Sequence, residues 1–146
     1  MTYYEEKVEL LVEYFRAAEC DRDERQLGIE IEHFLVENDS LEAVSFFQQD
    51  GVEDLLKKLT ENDWNPVMEA GYVVGLESNC GTVTLEPGGQ VELSIFPQSS
   101  IEDAEKIYLN FLEEVVSIVE ENNQSLLCMG YQPESSISDI PILPKK

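Results

Sequence analysis

Two short segments place carboxylates where chemistry could use them: Gly28-Ile29-Glu30-Ile31-Glu32-His33-Phe34 and Thr84-Leu85-Glu86-Pro87-Gly88-Gly89-Gln90-Val91-Glu92-Leu93-Ser94. Alternate side chains of a strand share a face, so Glu30 and Glu32 would stand together with Cα atoms about 6.5 Å apart. Two carboxylates at that spacing can reach one ion or two neighbouring ions. In the second segment the turn length decides the geometry. A two-residue loop at Gly88-Gly89 would set Glu86 opposite Val91 and mix polar with apolar residues on both faces. A three-residue loop of Pro87, Gly88 and Gly89 sets Glu86 opposite Gln90 and Thr84 opposite Glu92, so each face becomes uniform. Because a register slip flips every side chain, the uniform solution is expected. Thr84, Glu86, Gln90, Glu92 and Ser94 then share one face, while Val83, Leu85, Val91, Leu93 and Ile95 turn to the core. If the Glu30 strand joins this sheet, four glutamates gather on one surface.

A solvated face is the plain alternative for strand glutamates, but two features weigh against it. Glutamate is a poor strand residue, and no Lys or Arg occurs between Lys58 and Lys106 to compensate the acids. Crowded carboxylates repel one another or recruit a cation. An all-oxygen donor set selects Mg²⁺, Mn²⁺ or Ca²⁺ over zinc, and the sequence has no EF-hand loop. Mg²⁺ or Mn²⁺ with positions left open to water or phosphate is the arrangement of an ATP-using site. His33 falls on the Ile29, Ile31 and Leu35 side, which makes it a packed histidine, and no Ser or Cys nucleophile stands beside it. Trp64, near Pro66, is expected to cap the core. Glu113, Glu114, Glu120 and Glu121 read as a solvated helix face.

The elements that must position these residues follow from periodicity. Residues 5–19 carry Val8, Leu11, Val12, Phe15 and Ala18 at helical spacing, an amphipathic helix. Leu27 to Glu37 alternates as a strand, and Asn38-Asp39-Ser40 turns the chain. A short helix over Gly51 to Leu59 ends at Asn62-Asp63-Trp64-Asn65-Pro66, where proline cannot continue it. Strands are expected at 72–77, 81–86 and 90–96. Ser99 and Ser100 can cap a long helix starting near Ile101, and a last strand runs from Ser125 to Gln132. After Pro133 the tail is irregular. The pattern is α+β: a largely antiparallel sheet with helices packed on one face.

The 146 residues, 42% of them hydrophobic, form one domain, 1–146, with enough chain for a real core. The net charge of −22 repels nucleic acid and anionic membranes. No apolar run approaches the roughly 20 residues that span a bilayer, and Met1 to Glu6 lacks the features of a signal peptide, so a cytoplasmic location is expected. Cys20, Cys80 and Cys128 are odd in number and widely spaced, which fits reduced, buried, structural thiols.

The two acidic motifs, together with Cys128-Met129-Gly130-Tyr131-Gln132-Pro133 and Asp139-Ile140-Pro141, closely resemble glutamate–cysteine ligase of the type shared by plants and many bacteria. The resemblance runs over essentially the whole chain. It implies a glutamine-synthetase-like catalytic core, here partial, using ATP and Mg²⁺ (or Mn²⁺). It also implies L-glutamate and L-cysteine as substrates, joined through a γ-glutamyl phosphate in the first step of glutathione synthesis. Glu30, Glu32, Glu86 and Glu92 match the family's metal-binding acids, and Gln90 is placed to hydrogen-bond the substrate or a metal-bound water. No residue of the chain is assigned a catalytic role. The family continues beyond Lys146 with an Arg-Tyr pair, so the chain reads as an N-terminal portion, inactive alone and prone to self-association. A related carboxylate–amine ligase, or a non-catalytic acidic module binding a divalent cation or a partner, is the alternative.

Overall fold

The computed structural model describes residues 3–144; Met1, Thr2, Lys145 and Lys146, on which the readings of the two termini partly rest, lie outside it. The elements in chain order are α1 (Tyr3–Ala17), β1 (Leu27–Glu37), α2 (Val52–Leu59), β2 (Asn65–Glu69), β3 (Tyr72–Glu77), β4 (Gly81–Glu86), β5 (Gln90–Gln98), α3 (Ile101–Glu121) and β6 (Gln124–Leu127). The strands form one six-stranded sheet in the order β2-β3-β4-β5-β1-β6. Every pairing in it is antiparallel.

Alternation along the strands creates the core. Val83, Leu85, Val91, Leu93 and Ile95 are all buried on one side of β4 and β5. They meet Val52, Leu55, Leu56 and Leu59 of α2 and Ala104, Phe111, Val115 and Val119 of α3 in one cluster. In both helices these positions recur at three- and four-residue spacing, which is why a single stripe faces the sheet. The Ser100 side chain accepts the Asp103 amide and starts α3. Trp64 closes the edge of the core, packing edge-on against Phe111 and donating Nε1–H to Glu114 Oε2 at 2.9 Å. Glu114 is therefore not part of a merely solvated face.

Three expectations need correction. The Asn62–Pro66 stretch does stop α2, but its end opens β2, an edge strand in which Pro66 is tolerated, as proline is at edges. The last strand is only Gln124–Leu127, because the chain leaves the sheet before Gly130. Among the described residues only α2 and α3 cover the sheet; α1 buries none of its residues. The thiols also depart from expectation, since Cys20 and Cys128 are exposed and Cys80 is half-buried. Among the described residues no helix is long and apolar enough to cross a membrane.

Candidate functional site

The side of the sheet opposite α2 and α3 carries the acids, and strand register places each one. The turn is the expected three-residue loop: Glu86 pairs with Gln90, Thr84 with Glu92 and Thr82 with Ser94. Gly88 and Gly89 have φ of 92° and 81°, the left-handed region that favours glycine, and the Gly89 amide closes the loop on the Glu86 carbonyl. On the other flank of β5, β1 sets Glu32 against Glu92 and Glu30 against Ser94. The face therefore reads in rows across three strands: Thr84, Glu92, Glu32, and beside them Thr82, Ser94, Glu30. All four glutamates singled out in the sequence come from this one face.

The face is a hydrogen-bonded network. Ser94 Oγ donates to Glu92 Oε1 at 2.8 Å and Thr84 Oγ1 donates to the same oxygen at 3.3 Å. Gln90 is buried, and its Nε2 reaches both Glu32 Oε2 at 3.2 Å and the Met129 carbonyl at 3.4 Å. That amide links the acidic row to the chain leaving β6. Two hydroxyls and one amide therefore supply the donors that Lys or Arg would give elsewhere, which explains how neighbouring strands tolerate Glu32 opposite Glu92. The carboxylates offer hard oxygen donors suited to Mg²⁺ or Mn²⁺. Among the described residues, however, no three His, Cys, Asp or Glu side chains converge on a point that could hold one ion.

Behind the acidic row lies a feature only half visible in the sequence. His33 is 2% exposed and occupies the core side, as alternation requires. Its Nδ1 faces the Val91 carbonyl at 3.4 Å and its Nε2 faces the Tyr108 hydroxyl at 2.9 Å. A carbonyl can only accept, so Nδ1 carries the proton and Nε2 accepts from Tyr108. Burial holds the imidazole below its usual pKa of 6.5, with the Val91 hydrogen bond pulling the other way. Burial, and then the neighbouring Cys128 thiol, raises the Tyr108 phenol. Helical spacing on α3 gave no warning of this contact, because the two residues are 75 positions apart.

At the end of the acidic face, the Pro87-Gly88 turn and the tail from Tyr131 to Leu143 enclose an open, mainly apolar cleft of about 940 Å³, with Glu86 on its wall. The tail is tied down where Ser135 Oγ accepts the Ala43 amide and Gln132 Nε2 donates to the Leu41 carbonyl.

Residues 26–146 match the family model described as glutamate-cysteine ligase family 2. The chain is 34% identical over 136 residues to glutamate–cysteine ligase A, chloroplastic, of Oryza sativa subsp. japonica, covering 92% of this chain and 27% of that protein. It is 36% identical over 121 residues to glutamate–cysteine ligase B, chloroplastic, of the same rice, covering 82% of this chain and 24% of that protein. Against glutamate–cysteine ligase, chloroplastic, of Arabidopsis thaliana it is 32% identical over 136 residues, 92% of this chain and 26% of the relative. The chain thus spans about a quarter of the length of these relatives.

Proposed function

The chain belongs to glutamate-cysteine ligase family 2, and on that premise we propose that it supplies the acidic wall of an ATP-dependent ligase site that joins glutamate to cysteine. The observation that carries this reading is the register that stacks Glu30, Glu32, Glu86 and Glu92 on the helix-free side of the sheet. That side is the place for polar substrates, because the other is filled by the core. A bound divalent ion would neutralise phosphate oxygens there.

The residues of the chain have distinct tasks. Glu30, Glu32, Glu86 and Glu92 offer oxygens to divalent ions. Ser94 and Thr84 fix the Glu92 carboxylate by both donating to its Oε1. Gln90 restrains Glu32 and, at the junction with Met129, stands where a substrate amino or carboxylate group can be read. The strands themselves contain no Lys or Arg, whereas phosphate and carboxylate recognition calls for such cations. Turnover therefore needs basic groups from outside this sheet.

Mn²⁺ titration followed by electron paramagnetic resonance tests the metal assignment. Binding to the unaltered chain should weaken at least about tenfold in a Glu32→Gln, Glu92→Gln variant, in line with the loss of two charged ligands. Equal binding in both would overturn the assignment. ADP release from ATP in the presence of glutamate, cysteine and Mg²⁺ tests the division of labour. This chain alone should give none, and robust turnover would contradict the need for outside cations.

A further inference from the structure

The proposed site leaves one buried polar side chain unused, the imidazole of His33. Its ring stacks on Tyr108 with centroids 5.7 Å apart and tilts against Phe111 at 6.3 Å. An apolar side chain would fill that space without the cost of burying two ring nitrogens. Both nitrogens are nonetheless matched, Nδ1 to the Val91 carbonyl and Nε2 to the Tyr108 hydroxyl. A buried polar group satisfied on both sides holds the elements it joins in one arrangement.

What His33 joins is the backbone of the acidic row. It follows Glu32 directly in β1, and its Cα partner in β5 is Val91. The carbonyl that its Nδ1–H holds belongs to the peptide between Val91 and Glu92, and that planar unit also carries the Glu92 amide. Glu32 and Glu92 are themselves Cα partners, and like charges so placed push the two strands apart. The histidine opposes that push from the core side of the sheet. Tyr108 steadies the ring from α3, a helix anchored in the core by Ala104, Phe111, Val115 and Val119. With the phenol donating to Nε2, the ring proton stays on Nδ1, where the Val91 carbonyl needs it.

We infer that His33 is a positioning residue. It ties the Val91–Glu92 peptide to β1 and thereby sets the spacing at which the Glu32 and Glu92 carboxylates meet a divalent cation, while Tyr108 selects its tautomer. The cation half of this statement rests on the metal reading proposed above; the backbone half stands without it. Groups that hold metal ligands in place from behind change affinity by about 10–100-fold when removed.

Two substitutions separate positioning from packing. His33→Asn places a side-chain N–H close to where Nδ1 stands, and His33→Leu offers none. Both lose the ring contacts with Tyr108 and Phe111 and remove the acceptor of the phenol, so melting temperature should fall in both, and circular dichroism checks that each keeps its fold. Mn²⁺ affinity, read by electron paramagnetic resonance at neutral pH, should stay within about threefold of the unaltered chain in His33→Asn and weaken at least about tenfold in His33→Leu. Equal weakening in both would make the histidine a packing residue only and overturn the inference. The chain has a single histidine, so ¹⁵N spectra of its ring need no assignment. Without metal they should show the proton on Nδ1 and an Nε2 signal that shifts in Tyr108→Phe. The Glu92 amide signal should move in His33→Leu and return toward its original position in His33→Asn. A ring protonated on Nε2, or a Glu92 amide indifferent to both substitutions, would overturn the inference whatever Mn²⁺ does. No Mn²⁺ binding by the unaltered chain, with these signals as expected, would instead remove the metal reading and leave His33 as the residue that positions Glu92.

Discussion

Glu92 stands directly opposite Glu32, and like charges in that position destabilise a strand pair by about 0.2–1 kcal/mol. Glu92→Gln keeps an oxygen for the Ser94 and Thr84 hydroxyls while removing the charge. Urea unfolding at low salt should show a gain within that range, and the gain should fade in 1 M salt as screening removes the repulsion. His33 is the second residue whose chemistry can be read in solution. Its pKa in the folded chain lies below 6.5, so the unfolded chain takes up a proton first as the solution is acidified. Its neutral form therefore supports the fold fully above pH 6.5, and that support is lost as pH falls from 6.5 toward the lower folded value. As pH falls below 6.5, unfolding free energy should slope downward in the unaltered chain and flatten in His33→Gln. A slope unchanged by the substitution would show that another group is responsible. Strand alternation placed His33 on the core side, but only folding brought Tyr108 to its ring.

At the level of elements, the turn at Pro87-Gly88-Gly89 fixes the site more than any single acid does. Its length sets the β4–β5 register, and the register decides that Thr84 and Ser94 flank Glu92. Gly88→Ala or Gly89→Ala should each cost about 1–2 kcal/mol, since both positions have positive φ and open space around them, leaving backbone strain as the cause. Thermal melts of the two variants measure this, and a loss below a few tenths of a kcal/mol would contradict it. The hairpin was legible because both strands alternate without interruption. β2 was not, because Pro66 is a helix stop and an edge-strand residue alike, and local pattern cannot separate the two. The short β6 was overextended for a related reason: Cys128 and Met129 continue an apolar run after the backbone has left the sheet.

For the molecule as a whole, the core belongs to the sheet, α2 and α3, and α1 stands outside it. Leu93→Ala, at a fully buried site in that core, should lower stability by about 2–5 kcal/mol. Leu10→Ser, on an exposed part of α1 away from the apolar stripe, should change it by less than about 0.5 kcal/mol. Chemical denaturation of both variants checks the contrast, and comparable losses would mean that α1 shares the core. By itself the sequence determined which residues face each way in β1, β4 and β5 and where α2 buries its stripe; on α3 the period finds Phe111, Val115 and Val119 but also counts Leu109, which is exposed, and passes over the buried Ala104. Those are consequences of the two- and 3.6-residue periods, carried by the local backbone. Only the tertiary structure decided that β1 lies beside β5, that Glu32 meets Glu92, that Gln90 reaches Met129, and that α1 is left uncovered. Those facts depend on which elements become neighbours, and neighbours are chosen by burial summed over the whole chain, which no local period records.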